Sequence, residues 1–470
     1  MEGLEASIVS KMSAMASAST RRLDPEYFRK QYLLDQQSIS ERASQFVTCA
    51  DLSISVDASA FYPSIEEYYE TGDLPFYRVG DVDGMIDSER ALRIPAELCD
   101  RFPTLKMVSP GDILLTKGGA IDRTGYVRAI GAVSRDLIFL DTSRLPEPRR
   151  LSLFAFFGTE LFRRLLTRSS SQTAQPHLTI TLVRDLPMFL GSDQLCNRVA
   201  SLINSAYRRA DEAGRQIESA EDCLLKALGL ADWTPPEPLS FTAHASDAFA
   251  AGRWDAQYFR PLFAEVEQRL LATGGAVKLG AILDINSRGR QPDYSDEGLP
   301  VINSKHVRTN KVLLDDDNRR AVEAGAPVVI EKGDVLVNGT GVGTIGRAAA
   351  FLHEQNALPD NHVTVLRTSR VDPIYLAVFL NSLLGQLQIE RHIKGSSGQI
   401  ELYPNDIAKI VFWDAPDHVQ IDVRDAVLSA FNQERRAQDL LEAAKRAVEI
   451  AIDDGEPAAL AFLDAAEGTS

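Results

Sequence analysis

The chain has 470 residues, 44% of them hydrophobic and 25% charged, with a formal net charge of −16. That length allows two or three domains with cores of their own, and the composition is that of an ordinary globular protein. No apolar run approaches the roughly 18 residues that a membrane span needs, and Cys49, Cys99, Cys196 and Cys223 lie far apart without a C-x-x-C pair, which argues against zinc or redox work and for a reducing cytoplasm.

Residues 1–22 are rich in Ala, Ser and Met and lack the basic start and apolar stretch of a signal peptide, so they read as a flexible extension. A mixed body follows over 23–190. Within it, Asp112 to Thr116 and Ile138 to Leu140 are apolar, β-prone runs. Apolar residues at helical spacing predict a helix over 151–166. Residues 191–230 form a spacer helix. Leu195, Val199, Leu202, Ala206, Ala210, Ala213, Ile217, Ala220, Leu224 and Leu228 recur along it at steps of three and four. It ends at Gly229, and 231–252 is a linker by its Pro-rich composition. A second body covers 253–416, with strands predicted at Asp334 to Val337 and His362 to Leu366 and a helix over 373–390. A second spacer helix over 417–452 carries Val423, Val427, Ala430, Ala437, Leu441, Ala444, Val448 and Ala451 on one seam, with Glu434 its polar exception. An acidic tail closes the chain at 453–470, with room for a short helix from Pro457 to Ala465.

The second body repeats the first. Arg22-Leu23-Asp24-Pro25-Glu26-Tyr27-Phe28-Arg29 returns as Arg253-Trp254-Asp255-Ala256-Gln257-Tyr258-Phe259-Arg260. Asp73-Leu74-Pro75 returns as Gly298-Leu299-Pro300, Gly111-Asp112-Ile113-Leu114 as Gly333-Asp334-Val335-Leu336, and Thr142-Ser143-Arg144 as Thr368-Ser369-Arg370. The offset stays between about 221 and 231 residues, too long for a solenoid unit. Each copy is therefore a domain, and two related domains imply two related sites. Shifted by 224, most seam positions of the two long helices coincide. A narrow, Ala-rich seam suits close helix contact, so the two helices are expected to pair as an antiparallel coiled coil, a spacer of about 54 Å. The plainer alternative is that each helix packs on its own domain. The expected fold class is thus α/β (α+β): two duplicated mixed α/β domains separated by two long paired helices.

The negative charge is localised. Residues 191–250 carry 5 basic and 9 acidic side chains, and 417–470 carry 5 and 12. The bodies are nearly neutral, with 16 basic against 18 acidic in 53–190 and 18 against 20 in 251–416. A local basic face is therefore compatible with the overall charge, although non-specific DNA binding by the isolated chain should be weak. The acidic helices leave room for a basic partner.

Gly341-Val342-Gly343-Thr344-Ile345-Gly346 matches G-x-G-x-x-G. The first copy keeps a glycine-rich turn there but loses the spacing, and Leu358-Pro359 cuts short the helix that a dinucleotide site needs. The run reads as a tight turn. No Asn-Pro-Pro-Tyr or Asp-Pro-Pro-Tyr, no G-x-S-x-G and no metal-nuclease triplet after Pro292-Asp293 is present. The seven histidines are scattered, and His306 and His362 read as structural or polar-surface residues rather than as ligands.

Polar and basic clusters suit nucleic acid better, because Ser, Gln, Asn, Arg and Lys reach base edges and phosphates. In the first body these are Arg78, Lys117, Arg123, Arg144, Arg149, Arg163 and Arg164, followed by the loop residues Ser170, Ser171, Gln172, Gln175 and His177. In the second they are Asn303, Lys305, His306, Arg308, Asn338, Thr340 and Arg347, with Lys394, Ser396, Ser397 and Gln399 in the matching loop. For any one of them, a solvated loop residue with no partner is an equal alternative.

The ordered duplication resembles the specificity subunit of type I restriction-modification systems, from about residue 23 to 452. The likeness rests on the Leu-Pro start of each body, the Gly-Asp-Ile-Leu and Gly-Asp-Val-Leu turns, the Ser-Ser loops before each closing helix, and the helix end Lys445-Arg446-Ala447-Val448-Glu449-Ile450-Ala451-Ile452. The resemblance implies two target recognition domains, each reading one half of a bipartite double-stranded DNA sequence, with the paired helices setting the gap. It implies two modification methyltransferase subunits and a motor-nuclease restriction subunit as partners. S-adenosylmethionine would be bound by the methyltransferase, and this chain would need no cofactor or metal and catalyse nothing itself. Two departures stand out: little helix precedes the first body, and the second loop reads Gly398-Gln399-Ile400-Glu401 where the first reads Ala174-Gln175-Pro176-His177. Two other classes remain open: a DNA-modifying enzyme with an unrecognised active site, and a non-catalytic scaffold or DNA-binding subunit of another phage-defence assembly.

Overall fold

A computed structural model describes residue 9 and residues 24–60, 62–118, 121, 123–170, 177–315, 318–323, 325–341, 343–395 and 400–467. Apart from Val9, the 1–22 extension lies outside the described residues. The chain divides into two units, 1–210 with 434–470 and 211–433. Among the described residues no helix is long and apolar enough to cross a membrane.

Unit 1 opens with a 3-10 turn over Pro25–Phe28, capped by Asp24, and helix α1 (Lys30–Glu41). Short strands follow: β1 (Phe46–Val47), β2 (Ser55–Ala58), β3 (Leu74–Tyr77), β4 (Gly84–Met85) and β5 (Leu92–Ile94). After α2 (Glu97–Arg101) come β6 (Met107–Val108), β7 (Ile113–Thr116), β8 (Thr124–Tyr126), β9 (Gly131–Val133) and β10 (Leu137–Asp141). Helices α3 (Glu147–Phe157), α4 (Glu160–Ser169) and α5 (Ile180–Asp185) and strand β11 (Met188–Phe189) complete the body. One sheet runs β2-β10-β7-β8-β4 and another β5-β3-β9-β6. The chain then enters helix α6 (Asp193–Ala227).

Unit 2 rebuilds this plan. Helices α7 (Ala245–Ala251) and α8 (Pro261–Thr273) precede β12 (Ala276–Lys278), β13 (Ile285–Arg288), β14 (Tyr294–Ser295), β15 (Leu299–Ile302), β16 (Val307–Arg308), β17 (Lys311–Val312) and β18 (Arg320–Ala321). Strands β19 (Val335–Asn338), β20 (Ala348–Ala350), β21 (Leu358–Pro359) and β22 (Val363–Arg367) follow. Helices α9 (Pro373–Asn381), α10 (Leu383–His392) and α11 (Pro404–Ile407) and strand β23 (Val411–Trp413) lead into α12 (Asp417–Asp453), whose second half, with α13 (Glu456–Glu467), belongs to unit 1. The sheet β13-β22-β19-β20 has the order of β2-β10-β7-β8. The pairing of β3 with β5 antiparallel and with β9 parallel returns as β15 with β18 and β21. The repeat read from sequence is thus a repeat of topology in its central strands, while β4 and β6 of unit 1 and β14, β16 and β17 of unit 2 differ.

Shared residues explain shared elements. Gly111 and Gly333 sit at φ +99° and +94°, backbone that a side chain resists. The next residue, Asp112 or Asp334, accepts a hydrogen bond from the amide three positions earlier, Ser109 or Glu331, each at 2.8 Å, and so closes the turn into β7 or β19. The helices predicted over 151–166 and 373–390 are each two helices. Thr159 and Ser382 accept from the amides of Phe162 and Gly385 and start a new helix there. Their apolar faces enter the cores through Phe156, Phe157 and Phe162 in unit 1 and Tyr375 and Phe379 in unit 2. Truncating any of these rings to Ala should cost about 3–5 kcal/mol.

The long helices do pack against each other. In unit 1, Leu195, Val199, Leu202 and Ile203 of α6 share a core with Ala444, Val448, Ala451 and Ile452 of α12. In unit 2, Ala220 and Leu224 of α6 share one with Val419, Val423 and Val427. The start of one helix thus meets the end of the other, an antiparallel arrangement. Of the predicted seam, Ala210 is exposed. The division between the units falls inside both helices, so each helix contributes half its length to each core and is more than a bare spacer.

Candidate nucleic-acid interface

The end of the central strand is where each unit gathers its polar loops. In unit 1, the Lys117 amide donates to Asp136 O at 2.8 Å, the Leu178 amide donates to Lys117 O at 2.9 Å, and Gly118 bridges to His177. In unit 2, the Gly339 amide donates to His362 O at 2.7 Å, the Leu402 amide donates to Gly339 O at 2.9 Å, and Thr340 bridges to Glu401. His177-Leu178 and Glu401-Leu402 therefore meet the ends of equivalent strands, β7 and β19. Ser171, Gln172, Gln175, Ser396, Ser397 and Gln399, which belong to the serine-rich loops, lie outside the described residues. Gly118 is small for a reason: a Cβ there would stand 2.8 Å from Nδ1 of His177.

Unit 2 surrounds its loop foot with cations and one aromatic ring. Tyr403 is 41% exposed. The Arg288 guanidinium lies 5.5 Å and the Lys394 ammonium 5.6 Å from its ring centre, within cation–π range. Arg288 also donates Nε to Asn361 O at 2.7 Å and lies 3.5 Å from the Glu401 carboxylate. The Tyr403 hydroxyl and then Arg288 hold the Glu401 carboxyl below its usual range. Lys394 and Lys409 both donate to Asp406, at 2.7 and 2.9 Å. Asp406 is only 1% exposed. Burial alone would raise its pKa, but the hydrogen bonds from the two lysines override this and lower it. Thr340 Oγ1 lies 2.9 Å from Nδ1 of His362. Two half-exposed ammonium groups on one carboxylate leave one positive charge in excess, beside an exposed ring.

The glycine run over 341–346 connects β19 to β20, which pair antiparallel. A strand, and no helix N-terminus, follows it, so the run is a hairpin turn, with Gly341, Gly343 and Gly346 at positive φ. Arg347, half-buried, leaves this turn at the start of β20.

Several predicted contact residues prove to be internal, and those readings are corrected here. His306 is 3% exposed; its Nδ1 lies 3.2 Å from the Asn303 amide and 3.1 Å from Nδ2 of Asn318. Asn338 is fully buried and donates Nδ2 to Ser304 O and Val307 O. These two hold the loop that presents Lys305 and Arg308, which are exposed, with Asn303 half-buried at its base. Ser170 is buried and its hydroxyl donates to Thr167 O.

The arginines of unit 1 do not form one free basic face either. Arg164 forks onto buried Asp35 at 2.8 and 2.9 Å, Arg149 holds Asp193 at 2.9 Å, and Arg163 holds Glu160 at 2.8 Å. Asp35 and Asp193 come from α1 and α6, far away in sequence, which is why the stretch looked unbalanced. Arg123 and Arg144 are exposed, Lys117 is half-buried, and exposed Arg78 has Asp81 at 3.9 Å. Arg288, Tyr403 and Lys409 were absent from the sequence reading. The signal for Tyr403 was its position two residues after the Glu401 that aligns with His177.

No protein-family model and no curated protein matches the sequence. Among solved structures, the chain is similar to the S subunit of the type I restriction-modification system from M. genitalium, with 12% identity over 89% of this chain and 95% of that one and a TM-score of 0.35. It is also similar to a chain of the type I system whose complex assembly and conformational transition have been described, with 16% identity over 87% and 96% and a TM-score of 0.28. The HsdS subunit from Thermoanaerobacter tengcongensis gives 14% identity over 87% and 95%, with a TM-score of 0.26. Over most of its length, then, this chain is similar to an S subunit and a further chain of type I restriction-modification systems and to an HsdS subunit.

Proposed function

We propose that this chain is the DNA specificity subunit of a type I restriction-modification system. Each unit reads one half of a bipartite target in double-stranded DNA, and the chain directs a partner adenine methyltransferase, and a motor-nuclease, to that target in the cytoplasm. It is not itself an enzyme; S-adenosylmethionine binds to the methyltransferase, which joins in two copies. One observation supports this reading above the others: the same topology occurs twice and brings a polar loop to the same strand end, with different side chains at the equivalent positions. His177, Thr179 and Asp136 stand in unit 1 where Glu401, Tyr403 and His362 stand in unit 2. One scaffold with two chemistries is what reading two different half-sites requires. Lys and Arg would hold phosphates, adding affinity without sequence information, and loop side chains would enter the major groove, where base pairs are distinguishable.

The test is co-expression with the methyltransferase of the same system, then single-molecule sequencing of host DNA for methyladenine. A bipartite motif with a fixed unread gap is expected. A stable complex that methylates without sequence preference refutes the reading.

A further inference from the structure

The duplicated Asp-x-x-Tyr-Phe-Arg motif has no part in the candidate interface described above, yet in both units it lies under the last turn of the helix that leads into the serine-rich loop. In unit 2, Asp255 accepts from the Tyr258 amide at 3.0 Å and closes a 3-10 turn over Ala256–Phe259. The same carboxylate holds Arg253 as a fork, at 2.6 and 3.1 Å. Arg253 in turn donates Nη1 to Ile393 O at 3.3 Å. The ring of Tyr258 carries two guanidinium groups, Arg253 at 4.9 Å and Arg391 at 4.7 Å. Gln257 and Arg260 both reach Glu390, at 2.6 and 2.8 Å. The motif thus grips residues 390, 391 and 393, the last turn of α10 and its cap. The next residue, Lys394, exchanges two backbone hydrogen bonds with Glu401, at 2.9 and 2.8 Å, and these close the foot of the loop.

Unit 1 grips the same place with other atoms. Asp24 accepts from the Tyr27 amide, and Arg168, the counterpart of Arg391 in the last turn of α4, lies 4.3 Å over the Tyr27 ring. Arg168 also donates to Tyr27 O and Tyr32 O, each at 3.1 Å, and to Gln36 at 2.8 Å. The two bodies share little sequence outside their framework, but both keep Asp, Tyr, Phe and Arg at this spacing. In unit 2 the pair Arg253–Asp255 is part-exposed, at 21% and 43%, and exposed ion pairs add little to stability. In unit 1 the motif also buries Tyr27 and Phe28, but in unit 2 the exposed pair suits placement of the helix end better than core formation.

We propose that this motif is the positioning element of each recognition loop: by fixing the last turn of α4 or α10, it sets where the loop begins. The inference rests on the function proposed above. Its test is the full chain, co-expressed with the methyltransferase of its system, carrying Arg253→Ala or Tyr258→Phe, with the methylated motif sequenced and the thermal midpoint of the complex measured.

Arg253→Ala should relax one half-site, with about tenfold or greater loss of discrimination at one or more of its bases. That half should be the one altered by exchanging residues 253–416. The other half, the gap and the thermal midpoint should be unchanged. Tyr258→Phe, which keeps the ring under both guanidinium groups, should retain the wild-type motif. Both half-sites unchanged in Arg253→Ala, or both degraded together, overturns the positioning role. A wild-type complex that shows no bipartite motif overturns the function, and the positioning role with it.

Discussion

Asp406→Asn should make unit 2 less stable and the surface proposed to face DNA stickier at once. The carboxylate is buried and receives Lys394 and Lys409 at 2.7 and 2.9 Å. Two charge-assisted bonds of about 1.5–3 kcal/mol each would set an upper limit. The ammonium groups, however, are 46% and 56% exposed and regain water when released. The amide also keeps one acceptor and is spared the burial of a charge, so a net loss of about 1–2 kcal/mol is expected. The freed lysines then meet DNA without competition from Asp406. Each additional phosphate neutralised steepens the salt dependence of binding by about 0.9 in log K against log salt. The measurements are urea unfolding of the purified chain and DNA binding by the assembled complex at several salt concentrations. Because the folded pKa of Asp406 is depressed, its contribution is complete above the ordinary value of 3.8. It is lost as pH falls through the lower folded value, so wild type and variant should converge in acid. An unchanged or flatter salt slope in a folded variant would refute the assignment of this cluster to the interface.

The duplicated turn aspartates should respond unequally. Asp334→Asn removes a fork to Arg367 at 2.7 and 2.8 Å and should cost about 2–3 kcal/mol. Asp112→Asn should cost under about 1 kcal/mol at neutral pH, because burial, with Asp141 nearby, raises the Asp112 pKa. Its stability contribution is present below the unfolded value and lost as pH rises through the raised folded one. Denaturation with hydrogen exchange followed in each unit compares them, and equal losses would contradict the account. Arg164→Gln leaves buried Asp35 without its cation, with Gln31 Nε2 still donating to it at 3.1 Å, and should cost about 3 kcal/mol while both half-sites stay as they are; a changed half-site would restore Arg164 to the interface. Inserting four residues into both α6 and α12 should change the unread gap and neither half-site, by analogy with dimer spacing in symmetric readers; methylome sequencing showing the original gap would refute the ruler.

What the sequence disclosed and what it hid follow from the range of the interactions involved. Periodicity and turn chemistry are local, so the strands entered through Gly111-Asp112 and Gly333-Asp334 and both long helices were legible to within about three residues. The breaks at Thr159 and Ser382 were equally local, but their capping hydroxyls sat inside an otherwise continuous apolar period and were overlooked. Long-range pairing was invisible. Nothing near Arg164 in the chain announces Asp35, and nothing near His306 announces Asn318. A basic residue in such a stretch therefore looked like a DNA ligand until its acid partner arrived from another helix. Tyr403 was missed for the opposite reason: a lone tyrosine after a loop carries no charge signal, and only the fold brings Arg288 and Lys394 onto its ring.

The two units differ in a telling order. Framework positions keep their chemistry: Asp112 and Asp334 close turns, Thr159 and Ser382 cap helices, and Arg168 and Arg391 lie over a tyrosine. Divergence begins where the strands end. At the loop foot, the Lys117–Asp136 and Gly118–His177 pairings of unit 1 give way to Gly339–His362 and Thr340–Glu401, and unit 2 adds Arg288, Lys394 and Lys409 around Tyr403. The backbone hydrogen bonds at these positions are the same, so changing the side chains does not disturb the fold. A protein that must change what it reads without ceasing to fold needs that separation, because most substitutions within a packed core destabilise. The duplicated motif beneath each loop extends the separation by one step: it fixes where the loop begins and leaves the loop's own residues free to vary.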